Sequence, residues 1–154
     1  MEILQIDPKI SNAELARRVG MAPSGILERV RRLEARGVIA GYELRLDPAA
    51  VDRELLAFVF VRAEESVGEM VTGERLAAIP DVLEVHHVAG EDCYLVKVRV
   101  SGTARLGELL RQDFGAIPSV RSTRSTIVLD SIKETMDLPI ETPQEADAPL
   151  EKAS

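Results

Sequence analysis

Six arginines, Arg17, Arg18, Arg29, Arg31, Arg32 and Arg36, fall within residues 12–36, against Glu14, Glu28 and Glu34 in the same stretch. Guanidinium groups offer forked donors to phosphate oxygens and to guanine edges, so this segment has the chemistry of a small electropositive face for nucleic acid. A solvated helix surface is the plainer alternative. The rest of the chain has the opposite character. Over 154 residues the formal net charge is −7, yet residues 1–47 hold 8 basic and 7 acidic side chains, so the whole negative excess lies downstream. Such an asymmetry points to two functional halves and excludes a protein that coats nucleic acid along its length.

Catalytic chemistry finds little support. His86 and His87 are the only histidines and are adjacent. In a strand they point to opposite faces and cannot grip one metal or act as one acid–base unit. The single Cys93 cannot form an internal disulfide, has no neighbouring base in sequence and suits a small buried hydrophobe. Spacings such as CxxC or HExxH, phosphate loops and nucleophile elbows are absent. No enzyme, metal or cofactor is therefore expected. Aromatic residues make up 3% and tryptophan is missing, which argues against base-stacking platforms. No apolar run reaches the roughly 18 residues of a membrane helix, and the amino terminus lacks signal-peptide order, so a cytoplasmic protein without membrane partners is expected.

The elements that must carry the arginines are legible. Ser11-Asn12-Ala13-Glu14 fits a capping box, which predicts a helix with Leu15, Ala16 and Val19 on one face and Gly20 at its end. Pro23 suits the first position of a second helix, where its missing N–H has no cost. Ile26, Val30 and Leu33 then form an apolar stripe, most of the charges fall outside it, and Gly37 closes the element. Two short helices joined by a glycine-containing turn make a helix-turn-helix, with Ala16 small enough for close crossing. Beyond Gly37, the alternation of Tyr42, Leu44 and Leu46 with polar residues predicts a half-buried strand, a wing arm or linker. Asp47-Pro48 marks a boundary.

The downstream half reads as strand over 55–61, helix over 67–78, strands over 82–89 and 93–100 joined as a hairpin, helix with Thr103 as its N-cap, and strand over 120–129. In the third strand Tyr94, Val96, Val98 and Val100 share a face opposite Lys97 and Arg99. This βαββαβ order predicts an α+β class, a ferredoxin-like antiparallel sheet with both helices on one face. The uncovered face calls for a partner, most economically a second copy. The domains are thus expected at 1–46, 47–54 as linker, and 55–135, with 136–154 an acidic, proline-containing, loosely held tail.

A capped helix-turn-helix, a strand linker and a ferredoxin-like domain in this order resemble the Lrp/AsnC, or feast/famine, family of bacterial and archaeal transcription regulators, over roughly residues 3–135. The resemblance is carried by Ile10-Ser11-Asn12-Ala13-Glu14-Leu15-Ala16 with Val19-Gly20, by Val30-Arg31-Arg32-Leu33-Glu34 with Gly37-Val38-Ile39, and by Gly90-Glu91-Asp92-Cys93-Tyr94. It implies a sequence-specific DNA-binding regulator that responds to an amino acid or related metabolite, as a homodimer or as a tetramer or octamer. The second helix of the motif would enter the major groove of double-stranded DNA. That makes Ser24, Gly25, Leu27, Glu28, Arg29, Arg31 and Arg32 the candidates for contact, with Arg31 and Arg32 expected on phosphate and Leu27 either on DNA or in the core. The effector would sit at the turn Gly90, Glu91, Asp92, with Asp92 accepting from an ammonium group and Ser125 or Thr126 supplying a hydroxyl. A tight hairpin turn in which Asp92 bonds its own backbone is the structural alternative.

Three departures from the family pattern stand out. Only Met1 to Gln5 precede Ile6-Asp7-Pro8, so the first helix is expected to be truncated. Ala22 stands where a capping Ser would precede Pro23, a change that costs about 1 kcal/mol of helix stability. Glu28 adds negative charge to the DNA-facing helix. These departures define the alternative function, a DNA-free ligand-sensing or partner-binding dimer whose helix-turn-helix is idle.

Overall fold

The computed structural model describes residues 1–66 and 68–140. The described residues form two compact units, Met1–Leu44 together with residues 134–140, and Arg45–Lys133.

The first unit holds α1 (Glu2–Ile6), α2 (Asn12–Val19) and α3 (Pro23–Ala35). Helix α2 starts as its capping residues dictate, with the Glu14 N–H donating to Ser11 Oγ at 3.2 Å. The return half of the capping box is not made; the Glu14 carboxylate instead accepts from Arg17 and Arg18. Gly20 ends the helix at φ 67°, a left-handed conformation that a side chain disfavours. Ala16 is 1% exposed where α2 meets α3, and with Leu15 and Ile26 it forms a small core against which Ile3, Leu4, Ile10, Met21 and Val30 pack. Val19, expected on that apolar face, is exposed, since α2 ends there and offers it no neighbouring helix turn.

The strand expected over 42–46 is not formed. Residues 38–47 carry no regular element, and Tyr42, Leu44 and Leu46 are exposed. Alternation supplies two faces but not the neighbouring strand whose amides complete a ladder, and no described strand pairs with this segment.

The second unit is a four-stranded antiparallel sheet of β1 (Leu55–Ala63), β2 (Val82–His87), β3 (Tyr94–Val100) and β4 (Val120–Ile127), in the order β2-β3-β1-β4. Central strand β1 places Val59 opposite Val96 on one side and Ser125 on the other. Ala57, Val59, Val61, Tyr94, Val96, Val98 and Val100 bury on a single face beneath Leu76 of α4 (Val71–Ala77), Leu106 of α5 (Thr103–Glu108), and Leu109 and Phe114 of the following turn. Each buried Val, Leu or Phe of this set contributes about 1.5–3 kcal/mol by leaving water, so this face fixes the register. The opposite face carries Phe58, Phe60, Leu95, Lys97, Arg124 and Thr126, and this unit's own helices pack on the other side.

Two helix starts differ from expectation. Helix α4 begins at Val71 rather than 67, and Val67 itself lies outside the described residues. Thr103 is the first helical residue of α5 and not its cap; extended Gly102 occupies the cap position, and its carbonyl accepts from the Leu106 N–H at 3.0 Å. A wider π-helical turn, Leu109–Phe114, completes the element. In the tail, Leu138 is hydrogen-bonded to Gln5, so 136–140 is not simply loose; residues 141–154 lie outside the described residues.

Candidate functional site

Helix α3 presents the first candidate surface. Ser24, Leu27, Glu28 and Arg31 recur at i, i+3, i+4 and i+7, so they form one stripe, and all four are exposed. Leu27, 37% exposed, stands outside the core. Gly25, Arg29 and Arg32 form an adjacent stripe. Gly25 is half-buried, and a Cβ there would meet Met21 at 3.5 Å, so this glycine serves the turn between α2 and α3 more than the open surface. Helix α3 starts at Pro23 with no side-chain cap from Ala22.

The arginines divide by partner. Glu14 takes both Arg17 (2.7 Å) and Arg18 (2.9 Å). Those hydrogen bonds, Arg17 first, hold the Glu14 carboxyl at about 2 and push Arg17 up. Arg32 pairs with Glu28 at 2.8 Å. Arg29 and Arg31 have no carboxylate partner among the described residues. Exposed pairs are weak, so phosphate can displace Glu28 from Arg32, whereas Arg31 stands ready without exchange. Neither pairing was visible from charge counts, although the i, i+3 and i, i+4 spacings signal both.

The second candidate lies at the β2–β3 turn. Gly90 has φ 142°, a conformation closed to most side chains. The turn is pinned on both sides, with Val88 N–H donating to the Cys93 carbonyl at 2.9 Å and Cys93 N–H to Val61 at 3.0 Å. Cys93 is partly buried, and its Sγ–H donates to the Ala63 carbonyl, so it is a packing residue. The Asp92 carboxylate does not fold back onto its own turn; it accepts from Arg124 Nη2 at 3.1 Å. Arg124 in turn lies 4.0 Å above the Phe60 ring, a cation–π contact. The structure therefore gathers Gly90, Asp92, Arg124 and Phe60. Glu91 is exposed beside them.

Ser125 and Thr126 are separated by the pleat. Ser125 pairs with Val59 on the helix-bearing face and Thr126 with Phe58 on the other, so only Thr126 shares a face with Arg124. Arg124 was missed because its role depends on register, which places it opposite Phe60. The arrangement has the parts for an amino-acid zwitterion, with a guanidinium for the carboxylate, a carboxylate for the ammonium group and an aromatic face for an apolar side chain.

The support behind the turn is polar and closed. Tyr94, 1% exposed, donates its hydroxyl to Glu65 Oε2 at 2.7 Å, and Thr72 N–H donates to Oε1 at 2.6 Å. Burial, followed by the Glu65 carboxylate, pushes the Tyr94 hydroxyl up to about 12. Burial acts to raise Glu65, but the hydrogen bonds from Thr72 and Tyr94 outweigh it and leave that carboxyl lowered. His86 and His87 diverge as expected, His86 to Glu84 at 3.1 Å and His87 to the Tyr94 ring at 5.3 Å. No group of three or more metal-ligating side chains occurs among the described residues.

Comparison with known proteins falls along the same division. Residues 1–40 match a winged helix-turn-helix DNA-binding family, and residues 56–138 match the Lrp/AsnC ligand binding domain. The chain is 37% identical over 141 residues to the leucine-responsive regulatory protein of Escherichia coli strain K12, covering 90% of this chain and 86% of that protein. Among solved structures, it is similar to a feast or famine regulatory protein from M. tuberculosis complexed with L-methionine, with a TM-score of 0.81, 36% identity, and coverage of 89% of this chain and 92% of the other. A transcriptional regulator from Neisseria meningitidis, also in complex with L-Met, gives a TM-score of 0.81 at 28% identity, covering 89% and 90% of the two chains.

Proposed function

The chain belongs to the Lrp/AsnC family of ligand-responsive transcriptional regulators, and from that premise we propose that α3 reads duplex DNA while the β2–β3 turn binds an amino acid. The observation that carries the first part is the solvent-facing row on α3, where Arg31 and Arg29 have no carboxylate partner among the described residues. Arg29, Arg31 and, after exchange with Glu28, Arg32 hold phosphate; Ser24 at the helix start donates to backbone oxygens. Leu27 and Glu28 face base edges, where a carboxylate can accept from cytosine.

For the second part, Arg124 and the turn amides bind the effector carboxylate, Asp92 its ammonium group and Phe60 its side chain. The two L-methionine complexes among similar structures and the leucine-responsive relative make an apolar amino acid the first choice. The uncovered face of the sheet pairs with a second copy, and higher assemblies build on that homodimer. No helix among the described residues is long and apolar enough to cross a membrane, which fits a protein that works in the cytoplasm, where its DNA lies.

The test is a shift assay on the protein's own promoter region between low and physiological salt, paired with thermal melting against methionine, leucine and the other amino acids. Expected are binding that weakens steeply with salt and a melting temperature raised by mass action. Melting shifts without any duplex binding would instead identify a DNA-free ligand sensor.

A further inference from the structure

We propose that residues 134–140 are a latch on the helix-turn-helix unit: the surface of α1 is a docking site for extended polypeptide, and its occupant is this chain's own segment beyond β4. Gln5 makes the latch. Its Nε2 donates to the Leu138 carbonyl at 3.0 Å, and its Oε1 accepts from the Leu138 N–H at 2.9 Å. An amide side chain that satisfies both backbone groups of one residue imitates a β-ladder pair, and it reads main chain, not side chain. Accordingly, the Leu138 side chain points away and is 72% exposed. One residue earlier, the Asp137 N–H is held by Thr135 Oγ1 at 3.1 Å, which shapes the approach.

The latch closes on the weakest element of that unit. Helix α1 has five residues, too few to be stable alone, and its Ile3 and Leu4 pack against the core of Leu15, Ala16 and Ile26. Bracing α1 therefore braces α2 and α3. The connectivity adds a consequence. Because Met1–Leu44 and residues 134–140 belong to one unit, Arg45–Lys133 is an insertion joined to it at two separate points of the chain. Strand β4, which carries Arg124, leads directly into the latch. The next step rests on the proposed effector site: ligand held by Arg124 has a route to α1 that runs along the chain to Leu138 and crosses to Gln5 through two hydrogen bonds, without passing through the 45–54 linker.

The experiment compares amide hydrogen exchange in the full chain, chains ending at Ile140 and at Lys133, and the variants Gln5→Leu and Leu138→Pro. The reporters are the amides of Leu4, Gln5 and Asp7, which bond to the carbonyls of Met1 and Ile3. The chain ending at Ile140 should match the full chain. The chain ending at Lys133 and both variants should exchange about tenfold faster at these amides, the effect of losing net hydrogen bonds. Equal protection in all five proteins overturns the latch. Acceleration that vanishes on dilution moves the occupant to a second copy and overturns the intrachain form. Faster exchange in a protein whose full chain binds neither duplex nor amino acid supports the latch and overturns only the regulator reading.

Discussion

Arg31 and Glu28 sit on one stripe of α3 and carry opposite expectations. Arg31→Ala should weaken duplex binding about equally for all sequences and reduce the slope of log affinity against log salt by about 1, measured by titration at several salt concentrations. Glu28→Gln should tighten binding at low salt, because it removes a carboxylate from the contacting row and leaves Arg32, otherwise 2.8 Å away, available to phosphate. At the turn, Arg124→Ala and Asp92→Ala should each abolish the amino-acid-dependent rise in melting temperature while leaving duplex binding in the absence of ligand intact. Behind the turn, burial and then the Glu65 carboxylate push the Tyr94 hydroxyl up to about 12 from an ordinary 10.0. A raised folded value means that the proton is held more tightly in the native state. The stability it contributes is therefore complete below pH 10 and lost as pH rises through about 12. Tyr94→Phe should lower stability at neutral pH by about 2 kcal/mol, the worth of a buried bond to a carboxylate, and should flatten that alkaline loss in denaturant titrations.

Among the elements, α4 is where sequence and structure part most usefully. Gly73 reads as a weak point in a helix, yet it is buried, and a Cβ there would lie 2.8 Å from Tyr94 Cε1. Gly73→Ala should accordingly destabilise by about 1–3 kcal/mol through overpacking. Gly102→Ala, at an extended position with open space around it, should change the melting midpoint little. The strands, their antiparallel order and both helices of the DNA-facing motif were legible because periodicity and caps are local signals. The buried face of β3 is legible too, since Val96, Val98 and Val100 alternate with Lys97 and Arg99. Two kinds of feature were not. The linker alternation of Tyr42, Leu44 and Leu46 looked like a strand because a sequence does not show whether a ladder partner exists. Arg124 was overlooked, and Ser125 was grouped with Thr126, because which residue meets Phe60 depends on the β1–β4 register. That register runs without a break from Ala57–Ile127 to Arg62–Ser122 and shifts only beyond it, between Arg62 and Ala63.

For the whole molecule, the uncovered sheet face bearing Phe58, Phe60 and Leu95 sets the oligomeric expectation. Sedimentation at micromolar concentration should show a homodimer or larger, and Phe58→Glu should shift it toward monomer without loss of secondary structure, since a charge on that face opposes a second sheet but not the helix-covered core. A well-folded monomer in the unaltered protein would contradict this assembly. The chain also contains its own optical probes. It has no tryptophan and two tyrosines. One falls in each unit, Tyr42 bonded to Glu34 at 3.1 Å and Tyr94 bonded to Glu65 at 2.7 Å. Intrinsic ultraviolet emission therefore arises from two fluorophores, each next to a carboxylate quencher, and replacing either by Phe leaves a single-site signal. With one label-free spectrum per domain, stopped-flow mixing with DNA or with an amino acid can show which half of the protein responds first.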